Sequence, residues 1–140
     1  MDKIWPIVLI VFSSVCYQIL AKLLPESIHP LAALAVSYLI SAVLCVALYF
    51  VISPNKDLVM EYRALNIIPF LIGAALVGLE VGTIYMYKAG WAVNTGYMLH
   101  SVLIAIALIA AGYLFFKEPV TGTKVLGTAI CLVGLFFINK

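Results

Sequence analysis

The chain has 140 residues, 66% of them hydrophobic and 10% charged, with a formal net charge of +2 and a mean hydropathy of +1.19. Soluble domains carry about 45–50% apolar and about 25% charged residues, because a small domain needs polar side chains to cover its exterior. The composition therefore excludes a water-soluble globule and makes lipid the solvent.

In hydrocarbon the backbone must satisfy its own hydrogen bonds, which leaves helices or closed barrels. Barrel strands alternate apolar and polar residues, whereas residues 102–111 are apolar on every face and 31–52 nearly so. The fold class expected is all-α, a polytopic membrane protein. The positive residues are scattered, so neither nucleic acid nor an anionic lipid surface is an expected partner. Cys16, Cys45 and Cys131 each lie in an apolar run without CxxC spacing, which argues against disulfides and a metal site and leaves them as small packing residues.

A spanning helix needs about 20 mostly apolar residues at about 1.5 Å each. Five segments meet that requirement. The first, 4–24, follows Lys3 and opens at Trp5-Pro6, where proline suits a first turn. It is longer than a signal-peptide core and lacks a small-residue cleavage site, so it is expected to be retained. The second, 31–52, follows His29-Pro30 and stops at Ser53-Pro54. A polar loop, 55–66, comes next. The third, 67–88, contains Glu80 and ends at Lys88, with Trp91 beyond it as an interfacial anchor. The fourth covers 93–116, and a turn at Lys117-Glu118-Pro119 leads to the fifth, 120–138, where Lys124 can snorkel outward.

Five spans place the chain ends on opposite sides of the membrane. Lys3, Lys56, Arg63, Lys117 and Lys124 fall on one side, and Lys22, Lys88 and Lys140 on the other. The excess favours a cytoplasmic N-terminus, but the margin is small enough to permit both orientations.

Glu80 is the one acidic residue deep within an apolar run. An ionised carboxylate there costs a few kcal/mol or more, so such groups face a cavity or a partner; a neutral carboxyl bonded between helices is the structural alternative. At 100° per residue Gly73, Thr83 and Tyr87 share its side of the helix, with Gly78, Gly82 and other small residues opposite. The Gly78-x-x-x-Gly82 pair suits close helix packing. In the fourth span Asn94, Tyr97, His100 and Ser101 fall within an arc of about 120°. His100 suits a proton relay or a satisfied interhelical bond equally. The first span offers Ser14, Tyr17 and Gln18, with Lys22 a turn further on, and the second Ser37, Tyr38 and Ser41. Gly127 and Gly134 line the fifth at packing spacing. No nucleophile elbow, zinc helix, phosphate loop or paired carboxylate is present, so neither an enzyme nor a cofactor is expected.

The order of short motifs carries a resemblance. Tyr85-Met86-Tyr87-Lys88-Ala89-Gly90 is followed by Ala92-Val93-Asn94-Thr95-Gly96, which leads into a long apolar helix. Phe116-Lys117-Glu118-Pro119-Val120-Thr121 comes next, and then a helix bearing Gly127 and Gly134. In this order the chain resembles the drug/metabolite transporter superfamily, and within it the EamA-type domain. The likeness covers all five spans, with its specific part at 84–138. Larger members hold two such units, and one is read here, a single EamA-like transmembrane domain over 1–140. The four-helix small multidrug resistance proteins place their glutamate in helix one, where this chain has Ser13, Ser14 and Gln18. The role expected of Glu80 therefore rests on its depth alone.

The resemblance implies a secondary transporter of a small metabolite or organic cation, proton-coupled, in a bacterial inner membrane. Glu80 would hold a proton or a cationic substrate, while Tyr87, Tyr97, His100, Asn94 and Gln18 shape the site. Gly78, Gly82, Gly127 and Gly134 would serve helix packing or a dimer. The expected assembly is an antiparallel homodimer working by alternating access. The alternatives are a lipid or lipid-linked sugar flippase subunit, and a non-transporting scaffold or regulatory subunit.

Overall fold

The computed structural model describes residues 4–54 and 56–138, so Lys3, Asn55 and Lys140 lie outside the described residues. Those residues form α1 (Trp5–Leu23), α2 (Pro30–Ile52), α3 (Leu58–Arg63), α4 (Ile68–Lys88), α5 (Val93–Phe116) and α6 (Gly122–Ile138). No strand occurs among them, and α1, α2, α4 and α5 are each long and apolar enough to cross a bilayer. The fifth expected span is present as α6, but its 17 residues make it about 25 Å long, at the short end of the spanning range. The expected polar loop is not wholly irregular. Asp57 Oδ1 accepts from Met60 N at 3.1 Å, and this cap starts the single turn and a half of α3.

Local chemistry accounts for the helix limits. The His29 side chain accepts from Leu31 N at 3.3 Å, capping α2 one residue before Pro30, whose fixed φ suits the first turn. Gly90 takes φ 95 after α4, a left-handed conformation that favours glycine. At the end of α5 the left-handed residue is instead Lys117, with φ 52. The Lys117 and Glu118 N–H groups both turn back to Gly112 O, the latter at 3.0 Å, so a left-handed ending satisfies a terminal carbonyl of the helix. A Cβ at Gly112 would lie 3.3 Å from Glu118 Oε2, so the chain folds back closely over this glycine.

The chain divides into two units, Met1–Lys22 with Ala89–Lys140, and Leu23–Lys88. In the first, α5 packs on α6 as an antiparallel hairpin; in the second, α2 packs on α4. Lys88 Nζ, at the end of α4, donates to Glu26 O at 2.9 Å and Ile28 O at 2.7 Å, just before α2. In the first unit Lys22 Nζ similarly donates to Trp91 O at 3.0 Å. Loop carbonyls left bare by the ends of helices are thus met by lysines that close spans remote in sequence.

Among the described residues the buried apolar side chains are Leu34, Ile84 and Tyr87, while Phe12, Val43 and Phe115 are 69%, 69% and 80% exposed. In water each large exposed apolar side chain would forgo about 1.5–3 kcal/mol of burial. Against lipid it forgoes little, because hydrocarbon tails are as apolar as leucine. The sparse core and apolar exterior are those of a multi-pass membrane protein.

Candidate functional site

In the second unit the pairing of α2 with α4 is antiparallel. Lys88 reaches Ile28 at the start of α2, and two turns inward the Tyr38 hydroxyl interacts with the Glu80 carboxyl. Glu80 is half-buried, as is Tyr38, whose hydroxyl oxygen is fully shielded and makes no hydrogen bond of regular geometry. The two groups are thus apposed rather than tightly bonded. Thr83 is buried and its hydroxyl donates to Leu79 O at 2.9 Å, so it turns back on its own helix instead of serving Glu80. Tyr87 is 4% exposed and forms part of the core of this unit. The small face expected on α4 is open, since a Cβ at Gly78 or Gly82 would meet nothing within 4 Å.

In the first unit α1 faces α5 across a cavity of about 460 Å³. Gln18, Asn94 and Tyr97, three of the expected site residues, line it, as does Ser14. Gln18 is buried at 8% exposure. Asn94 Oδ1 accepts from Thr95 N at 2.9 Å. The Tyr97 ring meets the His100 ring edge-on at 5.0 Å. His100 Nδ1 lies 3.1 Å from Gly96 O. A carbonyl only accepts, so Nδ1 carries the proton in the tautomer that makes this bond. Ser101, the remaining polar residue of that arc, donates to Tyr97 O at 2.7 Å and lines a second cavity between α5 and α6 together with Gly127. A Cβ at Gly127 or Gly134 would also meet nothing within 4 Å.

The structure therefore gathers Gln18, Asn94 and Tyr97 around one space and sets His100 against Tyr97. Glu80 and Tyr87 belong to the other unit. Sequence reasoning missed Tyr38 as the neighbour of Glu80. The usable signal was positional, since Tyr38 stands two turns into its span and Glu80 two turns before the end of its own, which is where an antiparallel pair would make them meet.

Neither a curated protein nor a solved structure matches the chain. The sequence does match the EamA-like transporter family over residues 3–140. With nearly its whole length matched, and with apolar spanning helices beneath that match, the chain belongs to the EamA-like transporter family.

Proposed function

We propose that this protein is a secondary active transporter of a small metabolite or organic cation, coupled to protons through Glu80. The observation that carries this reading is the half-buried Glu80 carboxyl, apposed to the Tyr38 hydroxyl inside the α2–α4 pair. A group that gains and loses a proton within a bilayer needs a neighbour able to serve both states. A tyrosine hydroxyl donates to the carboxylate and accepts from the neutral acid. Gln18, Asn94 and Tyr97 would bind substrate, and His100 Nε2 would exchange protons beside them. The protein would act in a bacterial inner membrane as a homodimer, alternating access between its two sides. The partly open apolar cavity between α1 and α5 favours a second reading, a flippase subunit for a lipid or lipid-linked sugar.

The test is uptake into proteoliposomes under an imposed pH gradient. The panel holds labelled quaternary ammonium ions, nucleosides, and neutral apolar alcohols and amides. At least one should accumulate, and Glu80→Gln should abolish its accumulation while the variant still purifies as a folded protein. Gradient-driven uptake that survives Glu80→Gln would remove the carboxyl from the mechanism. Flux of a labelled lipid without dependence on the gradient would establish the flippase reading instead.

A further inference from the structure

We propose that the cavity between α1 and α5 is a binding site for an uncharged, largely apolar molecule that carries one or two hydrogen-bonding groups. This rests on the transporter reading and narrows it from a small metabolite or organic cation to a neutral metabolite. Its size is the first argument. At about 460 Å³ it falls within the roughly 300–1,000 Å³ of small-molecule sites.

The lining is the second argument. Most of the wall is aliphatic, from residues such as Ile10, Val15 and Met98, and no charged side chain contributes to it. An ion placed there would lose its hydration without gaining a counter-charge, so both anions and quaternary cations are disfavoured. The polar groups present are neutral: Ser14, Gln18, Asn94 and Tyr97. Hydroxyls and amides can each donate or accept, which suits a ligand with an alcohol, amide or amine N–H on an apolar body. A few placed polar groups in an apolar wall are what fixes a ligand's orientation.

Extent is the third argument, and it separates this occupant from the others. The cavity spans residues 10–19 of α1 but only 93–98 of α5, about 8 Å along the latter axis. A helix of a second copy would need a groove along both spans. A lipid chain would gain nothing from the polar side chains of this wall.

A matched pair of dyes tests the assignment. N-phenyl-1-naphthylamine is neutral, apolar and has one N–H; 8-anilino-1-naphthalenesulfonate has the same skeleton with a fixed negative charge. The chain has two tryptophans, Trp5 and Trp91. In a Trp5→Phe protein in nanodiscs, energy transfer from Trp91 therefore reports dye bound near the start of α5, and empty nanodiscs give the background of partition into lipid. The neutral dye should show saturable transfer. Ser14→Phe, which fills the cavity, should weaken it at least tenfold, and Leu20→Phe, on a 65% exposed position of the same helix, should leave it unchanged. Tyr97→Phe, which keeps the ring and loses the hydroxyl, should weaken it several-fold even if Ser14→Phe fails to fold. The sulfonate should show no saturable transfer. Equal transfer in the native chain and both cavity variants would mean lipid partition alone, and saturable binding of the sulfonate would mean a charge-tolerant site; either result overturns the proposal. Because the readout is equilibrium binding, it needs no turnover. A chain that binds the dye but moves nothing refutes the transporter reading and not the site, whereas Glu80-dependent uptake without dye binding refutes the site alone.

Discussion

A carboxyl group inside an apolar helix needs a partner in whichever protonation state it holds, and Tyr38 supplies one for Glu80 from the neighbouring α2. A full hydrogen bond to a charged group contributes about 1.5–3 kcal/mol; this looser apposition belongs at or below the low end, and about 1.4 kcal/mol is a tenfold change in rate. Tyr38→Phe keeps the ring and its packing, so the helix pair should survive while Glu80-dependent uptake falls on the order of tenfold. Because Glu80→Gln already abolishes gradient-driven uptake, the cycle is read in gradient-free substrate exchange, where Tyr38→Phe should change nothing once Glu80 is Gln, since the two residues act as a unit. A loss of exchange from Tyr38→Phe that persists in the Glu80→Gln background would mean that Tyr38 acts elsewhere. Glu80 was legible in the sequence because a lone acid in an apolar run is conspicuous. Tyr38 was not, because its meaning lies in which helix stands opposite and at what register, and neither is written along a single span.

At the scale of elements, apolar length carried most of the information. The first four spans begin and end within one residue of their expected limits, since Pro6, Pro30, Ser53-Pro54 and Lys88 are strong local punctuation. The short α3 escaped notice because six residues show no apolar period and depend on one Asp57 cap. The start of α6 also shifted, to Gly122, because residues 117–121 are spent on the left-handed turn that ends α5. That turn contains the one non-glycine with positive φ among the described residues. Lys117 occupies the left-handed region with φ 52, where a Cβ is penalised by roughly 1 kcal/mol relative to glycine. Among the described residues nothing hydrogen-bonds or ion-pairs with its side chain to offset this, while Glu118 and Lys124 approach each other at 3.9 Å on an exposed surface, an arrangement that contributes little. Lys117→Gly should therefore stabilise the α5–α6 hairpin by about 0.5–1 kcal/mol. Reversible unfolding in mixed micelles measures the change. A loss of stability would show that the lysine side chain, and not the backbone, governs the turn.

At the scale of the whole molecule, the proposed assembly turns on the number of membrane crossings, which is odd when the 17-residue α6 crosses together with the four longer apolar helices. A five-span unit places its ends on opposite sides, so a second unit joined after it begins inverted; transporters commonly set their substrate site between two such inverted repeats. We propose that here the second unit is another copy of this chain, inserted the other way up. The positive residues support dual insertion. Lys3, Lys56, Arg63, Lys117 and Lys124 oppose Lys22, Lys88 and Lys140, a difference too small to impose one topology. Gly78 and Gly82 on α4, and Gly127 and Gly134 on α6, have open space where a Cβ would stand, and small residues of this kind let helices of separate chains approach closely. A parallel pair, the main rival, would need every copy to obey the modest excess of charge. Single cysteines at Glu61 in α3 and at Glu26 between α1 and α2, in a background without Cys16, Cys45 and Cys131, mark opposite sides of the membrane in the five-span topology. Labelling intact cells with an impermeant maleimide, before and after permeabilisation, then counts the copies in each orientation. In the antiparallel assembly each site should label from outside in about half the copies, as the paired stoichiometry requires. If Glu61→Cys labels wholly from one side and Glu26→Cys wholly from the other, every copy shares one orientation and the antiparallel pair is ruled out.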